Sequence, residues 1–271
     1  MVRVQLFGTF SVEEVQADRI TVDPAARPLA SFLFSFPNQS HRREKVLDLF
    51  WGDSPDKVAR ACLCRAVWRI RRQLSPCAPL GIHLHANQNE IWLNVPDANV
   101  VDAHEFRGAA VTALSSRPSA LEPGALGRAV SFYKAPFLEE YDGDWVLDQR
   151  ERLESLYLRA LAILMTLYAQ RQHVEDAIVC GRRILACDPM RETVQRALML
   201  LYVLNGQRGE SILQFERCRK ALKDECDVDP APETSSLLRL IRSGEIYDRL
   251  PGLFEKAFSF GSDTGSPLLV W

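Results

Sequence analysis

The chain has 271 residues, of which 47% are hydrophobic and 25% are charged, and its formal net charge is −2. This composition is typical of a soluble globular protein, and the length predicts two domains at roughly 100–200 residues each. The near-neutral net charge excludes any argument from bulk charge for a nucleic-acid or membrane partner. Only the distribution of charge along the chain is therefore informative.

The N-terminus and the cysteines give no indication of export. The first ten residues, MVRVQLFGTF, alternate polar and apolar side chains and lack the apolar core of a signal peptide. No apolar run approaches the roughly 18 residues that span a bilayer. The seven cysteines are scattered and odd in number, which favours free thiols in a reducing compartment. We therefore expect a cytoplasmic protein without a membrane partner.

The N-terminal 98 residues alternate between two hydrophobic periods. A period of two over residues 2 to 23 predicts short strands. Helical spacing then predicts helices over 29–36, 42–51 and 57–74, the last with Ser54 as its N-cap. A second period of two, from Ile82 to Val95 around a polar turn, predicts a β-hairpin. Strands, three helices and a hairpin in this order outline a winged helix-turn-helix.

The remainder of the chain predicts helices and no strands. A weak repeat of 34 residues relates Ala177-Ile178 to Ser211-Ile212, and this is the period of tetratricopeptide repeats. The fold class is therefore mainly α with a small β part, with an all-α, tetratricopeptide-like C-terminal domain. A tail follows this domain. The predicted helices lie near 103–115, 124–134, 145–171, 174–187, 190–204, 208–224 and 232–243.

The third predicted helix carries the most informative charge pattern. Residues 57–89 contain six Lys and Arg residues and no Asp or Glu. Leu63, Val67, Ile70 and Leu74 share one helical face, which predicts burial against a core. A face of arginines with the same spacing, shifted by two residues, lies roughly opposite. Such a helix fits the DNA major groove, where arginine bonds guanine or phosphate. The alternative is a basic face that is simply solvated.

We assign the expected DNA contacts as follows. The start of the second helix, the third helix and the predicted wing together supply them, and Trp68 either contacts DNA or packs under its helix. Arginines 60, 65, 69 and 72 are expected in the groove, and the other cations on phosphates. The expected DNA-binding residues are Arg42, Arg43, Lys57, Arg60, Arg65, Trp68, Arg69, Arg71, Arg72, His83, His85, Asn87 and Gln88.

Other clusters give weaker indications of a site. The Cys62-x-Cys64 pair suggests a metal or redox site, but further ligands at a familiar spacing are lacking. The acidic run at 139–144 does not match a calcium loop, and Asp144 is better interpreted as an N-cap of the following helix. Phosphate-binding, nucleophile-elbow and zinc-protease motifs are absent from the sequence. We therefore expect neither an enzyme nor a bound cofactor or metal.

Several of these segments resemble the antibiotic-regulatory-protein (SARP-like) type of bacterial transcriptional activator. The resemblance covers the chain to about residue 247, and it rests on the order and spacing of many short motifs. In the N-terminal part these are Val4–Gly8, Leu47–Asp53, Arg69–Leu74 and Val101–Phe106. In the C-terminal part they are Pro136–Leu138 with Trp145 and Arg150, Asp188–Glu192, Leu198–Tyr202, Gly206–Arg208 and Asp229–Thr234.

The resemblance implies an OmpR-like winged helix over 1–98, a bacterial transcriptional activator domain over 99–247 and a tail over 248–271. It also implies binding to double-stranded promoter DNA, recruitment of RNA polymerase and dimerisation, often on direct repeats. The residues at Arg42, Cys62, Cys64, Arg65 and Trp68 depart from the family pattern, so base preference does not transfer from relatives. No ATPase or sensor domain is expected. The alternative is an adaptor whose helical domain binds a partner protein or small molecule.

Overall fold

The structure is a computed structural model that describes residues 2–14, 20–97, 100–115 and 122–259. The chain forms two compact units. The N-terminal unit comprises Met1–Ala109 and Ser131–Glu154, and the C-terminal unit comprises Ala110–Val130 and Ser155–Trp271. These units differ from the linear division at residue 98, because 131–154 groups with the N-terminal segment. The division into functional domains therefore stays a prediction.

The N-terminal unit contains the strands and the first three helices of the chain. Its elements are β1 (Val2–Gln5), β2 (Ser11–Glu14), α1 (Arg27–Ser35), β3 (His41–Arg42), α2 (Arg43–Trp51), α3 (Asp56–Gln73), a 3-10 helix (Ser75–Leu80), β4 (His83–Ala86) and β5 (Glu90–Asn94). Three helices followed by a hairpin confirm the predicted element order. The mainly helical fold with a small N-terminal β part is also confirmed.

Two small antiparallel sheets frame the three helices. In the first, β1 pairs with β2. In the second, β5 lies between β3 and β4. The hairpin alternates as predicted, since Leu84 and Leu93 are buried while His83 and His85 are exposed. The two-residue strand β3 was not predicted, and Ile20 forms an isolated bridge to Val12 rather than a further strand. Residues 15–19 of the predicted strand region lie outside the described residues.

Residues 131–154 join the N-terminal unit through backbone pairing. Gly8 donates its N–H to Pro136, and Leu138 donates to Leu6, both at 2.8 Å. Arg150 then holds the turn that follows, because its guanidinium donates to the backbone carbonyls of Phe137, Leu138 and Tyr141 at 2.7–2.9 Å. These bonds satisfy buried carbonyls that no strand partner reaches.

Helices account for the rest of the described chain. Three of them, α4 (Asp102–Leu114), α5 (Pro123–Phe132) and α6 (Asp144–Gln170), contain the boundaries between the units. The C-terminal unit adds α7 (Val174–Cys187), α8 (Glu192–Leu204), α9 (Arg208–Cys226), α10 (Pro232–Ser243) and α11 (Ile246–Ala257). The seven helices predicted after residue 101 are present, with ends that differ by two residues at most.

The C-terminal helices stack in sequence order around α8. This helix packs against α7 on one side and α9 on the other, and nine of its thirteen residues are buried. The first helices of the two pairs begin at residues 174 and 208, which are 34 residues apart as the repeat predicted. The equivalent side chains Ala177 and Ser211 are both fully buried. This arrangement supports paired helical repeats.

Three local expectations were wrong. The predicted tail begins inside α11, where Ile246, Leu250, Leu253 and Ala257 pack on the core formed by α8 and α10. Pro251 lies inside this helix, although proline normally breaks a helix interior. Residues 260–271 of the tail lie outside the described residues.

The other two wrong expectations concern the N-termini of α3 and α6. Ser54 does not cap α3, because Pro55 occupies the N-cap position and no side chain caps the helix. Asp144 is the first helical residue of α6 rather than its cap, since the first turn is closed onto the Gly143 carbonyl. Its carboxylate still lies in the first turn, where a helix dipole favours negative charge.

The carboxyl of Asp102 makes stability depend on pH. It accepts N–H bonds from Leu6, Phe7 and Ala103, which ties β1 to the start of α4. Burial raises the pKa of this carboxyl from 3.8 to about 6, although those bonds favour the charged form. A raised folded-state pKa gives stability that is present below pH 4 and lost as the pH rises through 6.

We expect Asp102→Asn to remove this dependence, because the amide does not titrate. The difference in unfolding free energy between the natural chain and the variant should fall by up to about 3 kcal/mol from pH 4 to pH 7. Urea unfolding at a series of pH values measures it. A difference that stays flat, or that rises with pH, would contradict the raised pKa.

Candidate nucleic-acid interface

Helix α3 packs against the rest of the N-terminal unit through a continuous apolar stripe. The side chains Ala59, Leu63, Ala66, Val67 and Ile70 are all buried, with exposures of 6% or less. Leu74 continues the stripe just after the helix. The core face predicted from the sequence is therefore confirmed, and the side chains opposite it must point away from the unit.

The outward face of α3 carries cations without neutralising acids. Lys57, Arg65 and Arg72 are exposed, and among the described residues no carboxylate forms an ion pair with any of them. Arg65 instead donates to the Ala61 carbonyl on its own helix at 3.3 Å. We call this face, defined by Lys57, Arg65, Trp68 and Arg72, the outward face.

Trp68 lies in the middle of the outward face and does not pack under the helix. Its residue exposure is 59%. The guanidinium carbon of Arg72 lies 5.4 Å from its ring centroid, within cation–π range. This contact holds Arg72 beside the indole. The packing alternative for Trp68 is therefore wrong, and a large apolar ring is presented outward among cations.

Two arginines that were expected to point into the groove are paired with acids. Arg69 forms an ion pair of 3.2 Å with Asp23, and both side chains are about one-third exposed. Arg60 bonds Asp56 at 3.0 Å on the exposed first turns of α3. The structure corrects the expectation of four unobstructed groove arginines, because these two lie on the flanks of the helix. The Arg60–Asp56 pair is exposed, and such pairs are weak and open readily.

The remaining arginines connect α3 and α2 to the hairpin. Arg71 donates through Nε to the carbonyl of Leu84 in β4 at 3.0 Å. Arg43 donates to the carbonyl of Asn87 at 3.1 Å, and its backbone N–H bonds Asn89 at 2.8 Å. Arg42, the N-cap residue of α2, is exposed and has no side-chain cap. The hairpin is therefore fixed to both helices.

The hairpin presents a polar edge close to these cations. His85 stacks on Trp92 with ring centroids 5.0 Å apart, and His83 lies two residues before it on the same exposed face. The side-chain oxygen of Asn87 accepts the N–H groups of Asn89 and Glu90, which stabilises the turn without a glycine. Gln88 is exposed at the tip.

An open groove brings part of the predicted set together. Its walls are the start of α2, the N-terminal half of α3 and the hairpin turn. Of the predicted residues, it contains Arg42, Arg43, Arg60, Asn87 and Gln88. Glu44 and Glu90 also line this groove. They offset part of its positive charge, so the outward face is the more strongly cationic surface.

A buried histidine, His41, lies next to this groove, and its burial was not predicted from the sequence. His41 is 6% exposed, and it packs between the rings of Phe32 and Phe36. Burial, followed by the charge of Lys45, lowers the pKa of His41 below 6.5. The histidine is therefore neutral where β3 leads into α2. This favours packing over any role in binding.

The two cysteines of α3 point to different flanks. Cys62 Sγ lies 3.5 Å from a terminal nitrogen of Arg65, and Cys64 Sγ lies 3.6 Å from one of Arg43. Within the described residues, no group of three or more His, Cys, Asp or Glu side chains could hold a metal ion. All seven cysteines lie in described residues, and none of them forms a disulfide.

Sequence reasoning missed the two acids of the site. The Asp56–Arg60 spacing of four residues at a helix start is a signal for an ion pair, and it was overlooked because the charges were counted only from Lys57 onward. Asp23 is 46 residues from Arg69, and no local pattern in the sequence relates them.

The geometry defines a winged-helix unit followed by a helical-repeat unit, and a family model gives this class a name. The model described as bacterial transcriptional activator domain matches residues 97–242. This range is more than half of the chain, which therefore belongs to the bacterial transcriptional activator domain family. The family and the named relatives are transcriptional regulators, which supports the resemblance to SARP-like activators.

Curated relatives span most of this chain. Regulatory protein AfsR of Streptomyces griseus is 22% identical over 227 residues, which are 82% of this chain and 23% of AfsR. Transcriptional regulatory protein MoaR1 of Mycobacterium tuberculosis is 25% identical over 240 residues, which are 84% of this chain and 75% of MoaR1. This chain thus spans about a quarter of AfsR and three quarters of MoaR1.

A solved structure shares the fold. Mycobacterium tuberculosis EmbR, solved in complex with a low-affinity phosphopeptide, superposes with a TM-score of 0.70 at 17% identity. The superposition covers 98% of this chain and 73% of EmbR. At this identity the likeness concerns the fold alone. In the part of the chain that the structure describes, no helix is both long and apolar enough to cross a membrane.

Substitutions of the adjacent residues Arg71 and Arg72 should differ in their effect on the free energy of unfolding. Arg71→Met removes the bond that joins α3 to the wing strand, and we expect the free energy of unfolding to fall by about 1–2 kcal/mol. Arg72→Met removes an exposed side chain, so a change below about 0.5 kcal/mol is expected. Urea unfolding of both variants gives the comparison, and equal losses would show that the Arg71 bond does not stabilise the wing.

Proposed function

We propose that this chain is a sequence-specific, DNA-binding transcription activator that binds double-stranded promoter DNA and recruits RNA polymerase. The observation that carries the proposal is the outward face of α3. There, Arg65 and Arg72 project from the helix without a neutralising carboxylate among the described residues. A helix with a buried apolar face and an opposite cationic face fits the major groove.

The contacts divide into base readers and phosphate positioners. Arg65, Trp68 and Arg72 are central, so they meet base edges when α3 enters the groove. Lys57 lies at the N-terminal end of the same face. Arg60 and Arg69 lie on the flanks and contact DNA only after their ion pairs open. Opening costs little for the exposed Arg60 pair, which is worth about 0–1 kcal/mol, and more for the partly buried Arg69 pair.

Residues outside α3 position the helix on the backbone. Arg42 and Arg43 at the start of α2 face phosphates that flank the groove. Arg71 contributes through its terminal nitrogens, since only its Nε bonds Leu84. On the wing, His83, His85, Asn87 and Gln88 contact the adjacent backbone or minor groove. Such contacts set the register of the protein on DNA and carry little sequence information.

Polymerase recruitment and dimerisation rest on the family and not on a described surface. The family is one of bacterial transcriptional activators, and its named relatives are regulatory proteins. A regulator of this kind acts in the cytoplasm. Selection of DNA from a random library with the purified chain gives the site, and transcription from that site with purified RNA polymerase tests activation. Recovery of unrelated sequences would reject sequence-specific binding.

We predict that DNA affinity depends steeply on salt. Of the predicted DNA-binding cations, six form no ion pair among the described residues: Arg42, Arg43, Lys57, Arg65, Arg71 and Arg72. If about five phosphates are neutralised, log K should fall with log salt at a slope near −4 to −5. Titrations of the selected site at several salt concentrations measure this slope, and a slope near zero would exclude an electrostatic DNA interface.

The central Arg65 and the flanking Arg69 should differ in their effect on affinity. We expect Arg65→Met to weaken binding to the selected site about tenfold or more, because it removes an unpaired groove cation. Arg69→Met should weaken it less, because Asp23 already neutralises this guanidinium. Asp23→Asn is the matched control and should strengthen binding by removing a charge that repels phosphates. Equal losses for both arginines would contradict the assignment of Arg69 to a flank.

An adaptor is the second candidate, and one observation favours it. Val179 and Leu213 are 34 residues apart at equivalent repeat positions, and they are 52% and 50% exposed. Exposed apolar side chains that recur with a repeat suit a protein-binding surface. An adaptor would bind its partner protein without salt dependence and would not retard any DNA in a shift assay.

A further inference from the structure

The outward face of α3 holds a side chain that phosphate binding does not explain. Trp68 is 59% exposed, and it is the only aromatic residue on the described helix α3. An indole exposed to water costs solvation free energy that burial on a partner recovers. Its position between Arg65 and Arg72, opposite the buried Leu63, places it where a groove floor would lie.

The major groove offers few apolar groups to such a ring. Each base pair presents hydrogen-bond donors and acceptors there, and the C5 methyl of thymine is the apolar exception. An indole face laid against polar base edges would desolvate them without replacing their hydrogen bonds. Contact with a thymine methyl avoids that cost and buries apolar surface on both partners.

Arg72 is held beside the ring in an orientation that suits an adjacent base. Its guanidinium lies 5.4 Å from the indole centroid. The two Cα positions are one helical turn apart, about 6 Å along the axis, which compares with about 3.4 Å between successive bases. The stacked guanidinium therefore faces the base pair one or two steps from the one that Trp68 covers.

We infer that Trp68 is a specificity-determining residue that reads the C5 methyl of a thymine, while Arg72, stacked on it, bonds a guanine one or two base pairs away. The inference rests on the proposed function, since it requires α3 to enter the major groove. It names a chemical group on DNA, the 5-methyl of a pyrimidine, as the ligand of the exposed indole.

The test replaces thymines in the selected site one at a time by deoxyuridine, which lacks only the methyl group. For the natural chain we expect a loss of about fourfold in affinity at one thymine per half-site, from the contribution of one buried methyl-sized group. For Trp68→Ala the affinity should be lower, and the same uracil should have no further effect. Thermal unfolding checks that the exposed substitution leaves the fold intact.

Arg65→Met serves as the matched control on the same face. Its affinity should be reduced, yet its sensitivity to the uracil should remain, because the indole is unchanged. The converse experiment replaces the critical thymine–adenine pair by cytosine–guanine, with and without a 5-methyl on the cytosine. The methyl should restore part of the affinity for the natural chain and none for Trp68→Ala.

The outcomes distinguish this inference from the proposed function. Failure to bind any DNA overturns both. Binding that responds to Trp68→Ala but to no uracil substitution keeps the activator and overturns the methyl contact, leaving Trp68 as a residue that only positions Arg72. Equal uracil sensitivity in the natural chain and in Trp68→Ala also overturns it.

Discussion

Burial of the apolar stripe of α3 decides the direction of every other side chain on that helix. Leu63, Val67 and Ile70 are almost completely buried, and each contributes about 1.5–3 kcal/mol relative to exposure. Turning the helix by half a turn would forfeit roughly 5–9 kcal/mol on that scale. No exposed ion pair of about 0–1 kcal/mol can offset such a loss. The cationic face is outward because the opposite face must be inside.

Because the apolar stripe is buried, the residues of α3 that stabilise the fold are different from those on its outward face. Lys57, Arg65, Trp68 and Arg72 contribute little to the core, so they can be exchanged without unfolding the unit. Arg71 differs, because its Nε bond to Leu84 joins α3 to the wing. Arg43 does the same from α2 through the carbonyl of Asn87. The wing therefore keeps a fixed position relative to α3.

The sequence was sufficient for features set by local periodicity. The buried stripe of α3, the alternation of β4 and β5 and the ends of the later helices all follow from the spacing of apolar residues. Helix α11 was missed although Ile246, Leu250, Leu253 and Ala257 have helical spacing. Proline disfavours a helix interior, but packing against α8 and α10 outweighs the effect of Pro251 in the fold. Tertiary burial overrides local propensity in this way.

Features that depend on distant partners were not predictable. Strand β3 has two residues and exists because His41 and Arg42 pair with Ile91 and Glu90. Nothing in the sequence marks Asp23 as the partner of Arg69. That ion pair changes the chemistry of the site, because it places one arginine on the flank and leaves the centre of the face to Arg65, Trp68 and Arg72.

The composition of this centre, two cations around one indole, favours a target that offers both a hydrogen-bond acceptor and an apolar group. Phosphate backbone offers only the first, whereas base edges in the major groove offer both. In the proposed function, this face is therefore better suited to reading a sequence than to uniform attachment along DNA.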